Sequence, residues 1–197
     1  MSILTSPSSS VRTYLPAKPE NPWQTELRTA IRDPFVLCRE LELPVEWARQ
    51  AESVKDKFPL FVPRSYLRRI ERGNPEDPLL RQVMPVVQEL DEPAGFGEDP
   101  VGDRAATLEE GYLHKYSGRV LLVITGACAV HCRYCFRQHF PYDQLPRSDS
   151  AWDRPLAALA ADDSIREVIL SGGDPLMWVD PRLASLVQRI SAIDHIQ

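Results

Sequence analysis

The chain has 197 residues, of which 43% are hydrophobic, enough for one good-sized domain or for a small domain and part of a larger one. Its net charge of −5 comes from interspersed acidic and basic residues, so it lacks the basic surface of a nucleic-acid binder and we expect no nucleic-acid partner. The longest apolar run, Val120 to Ile124, is far too short to cross a bilayer and the N-terminus has no signal-peptide pattern, so we expect a cytoplasmic protein without a membrane partner.

The N-terminal part of the chain is predicted to be helical and interrupted by prolines. Residues 1–22 are rich in Ser and Pro and lack periodicity, which predicts a disordered or extended arm. Residues 23–104 form a helical N-terminal region, with helices starting near Trp23, Phe35 and Pro44 and others over 64–72, 77–83 and 86–90. Within it, residues 92–104 concentrate glycine and proline and predict a linker to a second domain.

The pattern changes in residues 105–197, which predict an α/β domain. Residues 119–125 are a continuous aliphatic and β-branched run, typical of a strand buried on both faces of a parallel sheet. A helix over 152–161 and a second buried strand over 167–171 complete a βαβ unit, and a further helix follows over 181–193. Two β/α units leave an unpaired edge, so we expect an incomplete sheet and a truncated chain.

Three of the four cysteines fall within eight residues directly after the first predicted strand: Cys128, Cys132 and Cys135. This CxxxCxxC spacing is too tight for a disulfide framework and indicates metal ligands. Three thiolates can hold a [4Fe–4S] cluster and leave one iron free to bind the amino and carboxylate groups of S-adenosylmethionine (SAM). A structural zinc site, with His131 or His139 as the fourth ligand, is the alternative. The remaining cysteine, Cys38, is interpreted as a small buried hydrophobic residue.

A glycine turn, Ser171-Gly172-Gly173-Asp174-Pro175, follows the second predicted strand. Active sites of β/α folds lie at the carboxyl ends of the parallel strands, so the turn should lie beside the cysteine loop. Glycines let the backbone approach a ligand closely, and Asp174 and the backbone carbonyls can accept hydrogen bonds from an ammonium group. We therefore predict that Gly172, Gly173 and Asp174 contact SAM, with an ordinary strand-to-helix turn as the alternative.

These segments resemble the radical SAM superfamily and, within it, the lysine 2,3-aminomutase family. The resemblance runs from about Trp23 to the end, with matching stretches at 116–125, 128–137 and 170–176, and the cysteine region is its most specific part. It implies the first units of a TIM-like barrel and an isomerase that uses a [4Fe–4S] cluster, SAM and pyridoxal 5′-phosphate (PLP). The reaction would move the α-amino group of L-lysine to the β-carbon and give (R)-β-lysine.

The resemblance also assigns individual residues. Arg137, two residues past the last cysteine, is implied to bind the substrate carboxylate through its planar fork. Tyr116 and Arg119 correspond to residues near PLP, and Lys115 stands where relatives often have Arg. The family's PLP-linked lysine has no counterpart among the lysines of this chain, which are Lys18, Lys55, Lys57 and Lys115. We therefore expect that these residues alone are not a competent aminomutase.

The segments 73–79 and 137–142 further resemble the bacterial subgroup whose β-lysine modifies elongation factor P. This implies L-lysine as substrate, an external electron donor such as flavodoxin, and an elongation factor P ligase that receives the product. An aminomutase acting on free lysine for other purposes, or on glutamate, is the alternative within the family. A structural zinc-binding module is the alternative outside it.

Overall fold

The computed structural model describes residues 22–54 and 56–197, so the predicted arm lies outside these ranges except for Pro22. The helices are α1 (Pro22–Arg28), α2 (Pro34–Glu40), α3 (Val45–Val54), α4 (Arg64–Leu67), α5 (Pro78–Val83), α6 (Asp103–Ala106), α7 (Asp153–Ala161) and α8 (Asp180–Ser191). The strands are β1 (Thr107–Glu109), β2 (Tyr112–Tyr116), β3 (Arg119–Thr125) and β4 (Glu167–Gly172). Short 3-10 helices cover 87–90, 142–144, 150–152 and 175–177.

Two helices of the N-terminal region, α2 and α5, start with an aspartate cap and a proline. The Asp33 carboxylate accepts a hydrogen bond from the Phe35 N–H at 2.7 Å, and Asp77 caps α5 in the same way through the N–H groups of Leu79 and Leu80. A proline follows each cap, at the first helical position. A backbone N–H at this position has no acceptor within the helix, so its absence in proline costs no hydrogen bond. Cys38 is buried in the core beneath these helices, as predicted, and burial raises the pKa of its thiol to about 11.

One predicted helix is shorter than expected. The pattern predicted a helix over 64–72, whereas α4 ends at Leu67. The next turns are tighter, because the N–H groups of Arg69 and Ile70 bond to carbonyls three residues back. The Asp77 carboxylate then accepts a hydrogen bond from the Glu71 N–H at 3.1 Å, which directs the chain away from the helix axis.

A four-stranded open sheet forms the second half of the molecule, in the order β1-β2-β3-β4. Strands β3 and β4 are parallel and joined by α7, which confirms the predicted α/β class and βαβ unit. Strands β1 and β2 were not predicted; they pair antiparallel and add a meander to β3. The inner strand faces, α7 and α8 enclose one core, which includes Val120, Leu122, Ile124, Leu159, Ile165 and Leu186.

The division into domains at residues 104 and 105 remains a prediction. The structure adds that Asp103, in the predicted linker, is buried at the start of α6. Val130 of the cysteine loop packs against the core of the N-terminal helices. Contacts between the two parts therefore centre on the region of the cysteine motif. In the described ranges no helix is long and apolar enough to span a membrane.

Candidate functional site

The three clustered cysteines lie on a loop that begins where β3 ends at Thr125. All three are free and half-buried. Burial raises the pKa of the Cys128 thiol, and the nearby negative charges of Cys135, Asp174 and Cys132 raise it further. The Cys135 N–H bonds to the Cys132 carbonyl at 3.0 Å, which closes a turn between these two ligands. The three thiols and Asp174 therefore lie close enough for their charges to interact.

The chemistry of the three free thiols fits an iron–sulfur cluster, in which each thiolate binds a different iron. In a structural zinc site, by contrast, four ligands share one tetrahedral centre. In the described part of the chain, no three His, Cys, Asp or Glu side chains are placed so that they could hold one metal ion.

His131 is held by the N-terminal region through both its ring and its backbone. Its ring stacks on Phe58, with 4.8 Å between ring centroids, and its Nδ1 lies 2.8 Å from the Pro59 carbonyl oxygen. Its backbone N–H bonds to the Phe61 carbonyl at 3.1 Å. His131 therefore anchors the cysteine loop to the segment 58–61 of the N-terminal region. His139 lines an open cavity of about 370 Å³ beside Cys135.

Arg133, between two of the cysteines, forms a second anchor. Its guanidinium pairs with both carboxylate oxygens of Glu89, the Nε bond being 2.9 Å, and its Nη1 donates to the Phe58 carbonyl at 2.7 Å. The side chains of Arg133 and Glu89 are only 6% and 18% exposed. Sequence analysis missed this pair, because the two residues are 44 positions apart and no local pattern connects them.

The glycine turn lies directly against the cysteine loop. The N–H groups of Gly173 and Asp174 donate to the carbonyls of Thr125 and Ala127, at 2.7 and 2.8 Å. A Cβ on Gly172 would lie 2.2 Å from the Thr125 carbonyl oxygen, and Gly172 has a φ of 125°, which disfavours any other residue. The Asp174 carboxylate accepts a hydrogen bond from the Leu176 N–H at 3.0 Å and caps a 3-10 helix. The turn and the loop therefore form one hydrogen-bonded unit, and the SAM contact of Gly172, Gly173 and Asp174 remains a prediction.

Arg137 is buried and connects three elements. Its Nε donates to Asp103 Oδ2 at 2.7 Å, and its Nη1 donates to Ser171 Oγ at 2.6 Å. Asp103 also pairs with Lys115 of β2. Burial alone would raise the pKa of the Asp103 carboxyl, but hydrogen bonds and charges from Arg137 and Lys115 outweigh it, so this pKa is lowered.

The two hydrogen bonds that Arg137 makes determine which of its N–H groups remain for the predicted contact with a substrate carboxylate. Two of its five N–H donors are bonded, one to Asp103 and one to Ser171, so the second hydrogen of Nη1 and both hydrogens of Nη2 can still donate to a carboxylate. Sequence analysis missed Asp103, since a single Asp in a Gly- and Pro-rich linker gives no signal of burial.

Tyr116 and Arg119 lie at the opposite end of β3 from the cysteines. They pair with each other across the β2–β3 hairpin, and Arg119 forms an exposed ion pair with Glu167 at 3.0 Å. Strand β3 spans seven residues, or roughly 20 Å at the usual rise per residue. The structure thus does not bring these two residues together with the cysteine loop, although both were predicted to lie near PLP.

Several known proteins are similar in sequence to this chain. Residues 116–195 match a family model described as a 4Fe-4S single cluster domain. L-lysine 2,3-aminomutase of Haemophilus influenzae is 43% identical over 187 residues, covering 93% of this chain and 55% of that protein. The enzyme of the same name from Escherichia coli is 44% identical (89% and 51% covered), and that of Buchnera aphidicola is 37% identical (89% and 52% covered).

The chain thus spans about half the length of the curated relatives it matches. The similarity nevertheless extends through almost all of the chain, including the N-terminal helices, the cysteine loop and the glycine turn. The iron–sulfur model independently covers β3, the cysteine loop, β4 and all of α8. Over almost all of its length the chain is therefore similar to L-lysine 2,3-aminomutases, which agrees with the family resemblance of its cysteine motif and glycine turn.

Proposed function

We propose that the whole protein is an isomerase that converts L-lysine to (R)-β-lysine, and that these residues supply its iron–sulfur and SAM contacts. The observation that carries the proposal is the unit formed by the cysteine loop and the glycine turn. Three free thiols lie at the carboxyl end of β3, and the turn after β4 bonds to the same loop through Gly173 and Asp174. Lysine as substrate is supported by the names of the relatives.

In this proposal each part of the unit has a separate task. Cys128, Cys132 and Cys135 hold a [4Fe–4S] cluster, and Gly172, Gly173 and Asp174 contact the SAM amino group. The bound cluster and SAM supply the radical chemistry, and PLP carries the migrating amino group. Arg137 orients the substrate carboxylate through its remaining N–H groups, while Asp103 and Ser171 fix the plane of its guanidinium.

The biological role proposed for the product is the modification of elongation factor P in the cytoplasm. It is supported by the segments 73–79 and 137–142, which resemble the bacterial subgroup with this role. An external donor such as flavodoxin would supply the electron, and an elongation factor P ligase would take the β-lysine. Mass spectrometry of elongation factor P from cells with and without the gene tests this role, since loss of the gene should remove the mass of one β-lysyl group.

Anaerobic reconstitution of the 197-residue chain tests the proposed site. We expect about four iron and four sulfide per chain with broad visible absorption, and a change in the electron paramagnetic resonance (EPR) spectrum of the reduced cluster when SAM is added. Replacing Cys128, Cys132 or Cys135 by Ala should abolish the absorption, whereas Cys38→Ala is the matched control and should retain it. A colourless protein that binds one zinc ion per chain would contradict the proposal.

A further inference from the structure

Three arginines on α4 and the turns after it line one cavity and are called here the arginine face: Arg64, Arg68 and Arg72. The cavity has a volume of about 310 Å³, and its other lining residues are one carboxylate and three apolar side chains, Glu40, Leu41, Leu67 and Ile70. Arg64 pairs with Glu40. The side chains of Arg68 and Arg72 are 67% and 69% exposed, and their partners Glu26 and Glu42 lie at 3.5 and 3.4 Å. Exposed pairs of this kind contribute little to stability, so both guanidinium groups can bind another carboxylate at little cost.

The arginine face is separated from the cysteine loop by α4 itself. Ser65 of α4 and Ala129 of the loop line a second cavity together. Leu67, in the floor of the arginine-lined cavity, belongs to the core against which Val130 of the loop packs. A helix with its side chains is about 10 Å across, so a protein bound to the arginine face would lie close to the loop.

Arg32 adds exposed positive charge still nearer to the cysteines. Its guanidinium carbon lies 4.7 Å from the centroid of the Phe61 ring, and the His131 ring lies 5.2 Å from the same centroid. His131 directly precedes Cys132. The side of the loop that faces the N-terminal helices is therefore approached past several arginines.

A different approach to the loop, the cavity beside Cys135, is acidic. Residues 73–110 contain ten acidic residues and only two basic ones, and four of these carboxylates line this cavity: Glu89, Asp91, Glu92 and Glu98. Such an uneven distribution of charge attracts an acidic protein to the arginine face and repels it from the cavity beside Cys135.

We propose that the arginine face is the docking surface for an acidic electron-transfer protein that reduces the cluster. This inference rests on the proposed function, because it requires a cluster that takes up an electron from an external donor. Flavodoxins and ferredoxins, which deliver electrons at low potential, carry an excess of acidic residues. The anionic hydroquinone of a flavodoxin gives one electron to the oxidised cluster and becomes the neutral semiquinone, so no proton has to be transferred.

The expected behaviour follows from the electrostatics of short-lived complexes. Redox partners bury little surface on each other, so complementary charge acts mainly on their rate of association. The screening length falls from about 30 Å at 0.01 M salt to about 3 Å at 1 M. The rate of reduction by an acidic donor should therefore fall as salt is added.

The test uses the reconstituted 197-residue chain and the hydroquinone of a bacterial flavodoxin. Anaerobic stopped-flow mixing at several salt concentrations measures the rate at which the flavodoxin semiquinone appears. The variant Arg68→Glu/Arg72→Glu reverses two charges of the arginine face. Arg49→Glu/Arg81→Glu is the matched control, because it has the same net charge and its two arginines, 68% and 67% exposed in ion pairs, lie outside the cavity. Dithionite, a small reductant, shows whether the cluster itself remains reducible.

Hydrogen exchange provides a second measurement that requires no electron transfer. Oxidised flavodoxin should slow the exchange of backbone amides in residues 64–72 of the wild type, and about 0.5 M salt should remove this protection. Protection that rises with the concentration of the chain alone would indicate a second copy on the arginine face and would contradict the inference.

We expect flavodoxin to reduce Arg68→Glu/Arg72→Glu about tenfold more slowly than wild type at low salt, with unchanged iron content and dithionite rate. The control should remain within about twofold of wild type, and the difference should vanish at high salt. Equal flavodoxin rates in the two double variants, or no protection of residues 64–72, would overturn the inference and leave the proposed function intact. If Arg68→Glu/Arg72→Glu lost its iron, or if the wild type accepted no electron from flavodoxin, the hydrogen-exchange result would decide. A wild-type chain without a cluster would overturn the proposed function itself, and this inference with it.

Discussion

Gly173 lies in contact with the thiol of Cys128: a Cβ at position 173 would be 3.0 Å from Cys128 Sγ and 2.2 Å from the Ala127 carbonyl oxygen. No real side chain tolerates the second distance, so the backbone of the cysteine loop would have to move. The absence of a side chain at this position thus allows the glycine turn and the loop to approach each other. This packing is a reason for glycine at 173 that does not depend on any ligand.

Gly173→Ala should therefore reduce cluster content, because the added methyl group displaces the loop that carries Cys128. We expect a loss of stability of about 1 to 3 kcal/mol, as for other overpacked sites, and clearly less iron per chain. Gly97→Ala is the matched control, since a Cβ there meets nothing within 4 Å. Iron analysis and urea unfolding provide the measurements. SAM affinities of Gly173 variants can be compared only between proteins with equal cluster content. A Gly173→Ala protein with full iron content would contradict the packing explanation for glycine at this position.

Glu89 should be needed for the stability of the cysteine loop. Glu89→Gln leaves the buried Arg133 guanidinium without its carboxylate partner, and breaking such a pair costs about 3 kcal/mol. Glu92→Gln is the control: its carboxylate is 89% exposed and lies 4.0 Å from Lys57, so we expect a change of about 0.5 kcal/mol or less. Urea unfolding of the protein without iron measures both changes. Equal stabilities of the two variants would show that the Arg133–Glu89 pair does not hold the loop.

Asp103 should make stability depend on pH in the acid range. Its folded-state pKa is lowered, so the stabilisation is fully present above the unfolded value of about 4 and is lost as the pH falls through the folded value. Asp103→Asn should therefore be less stable than wild type at pH 7, by about 3 kcal/mol for a broken buried pair, and the difference should narrow below pH 4. Urea unfolding between pH 2 and pH 7 measures it, with the exposed Asp163→Asn as control. If the two proteins differed by the same free energy of unfolding at every pH in this range, the ionised Asp103 carboxylate would not be the cause of the difference in stability.

Sequence analysis identified the βαβ unit and the juxtaposition of loop and turn because both depend on local signals. The aliphatic run of residues 119–125 is typical of a buried strand, and parallel strands place their following loops at one edge. Strand β2 was missed because its residues, Tyr112 to Tyr116, mix aromatic and basic side chains. The turns before and after it contain Gly111 and Gly118, both with positive φ angles.

The polar pairs of the site could not be predicted in this way. Asp103 and Arg137 are 34 positions apart, and each residue alone is equally consistent with an exposed surface position. Only the three-dimensional packing shows that Arg137 is buried and already bonded, which changes the geometry available for a substrate carboxylate. Long-range pairing between single charged residues leaves no periodic pattern for sequence reasoning to detect.

The 197-residue chain should not form a specific covalent link with PLP, because neither of the lysines whose surroundings are described is free to act as a nucleophile. The Lys115 ammonium donates to the Val101 carbonyl at 2.7 Å and pairs with buried Asp103, while Lys57 is largely solvated at 4.0 Å from Glu92. A lysine that bonds to PLP needs a dry pocket in which its amine becomes neutral. After incubation with PLP and reduction with borohydride, a peptide map should therefore show no stoichiometric adduct. The map also covers Lys18 and Lys55, which lie outside the described residues. Lys115→Arg is the control for background labelling. If the wild-type chain gave a single stoichiometric adduct at Lys115 and this substitution removed it, the ion pair with Asp103 would not prevent the Lys115 amine from reacting with PLP.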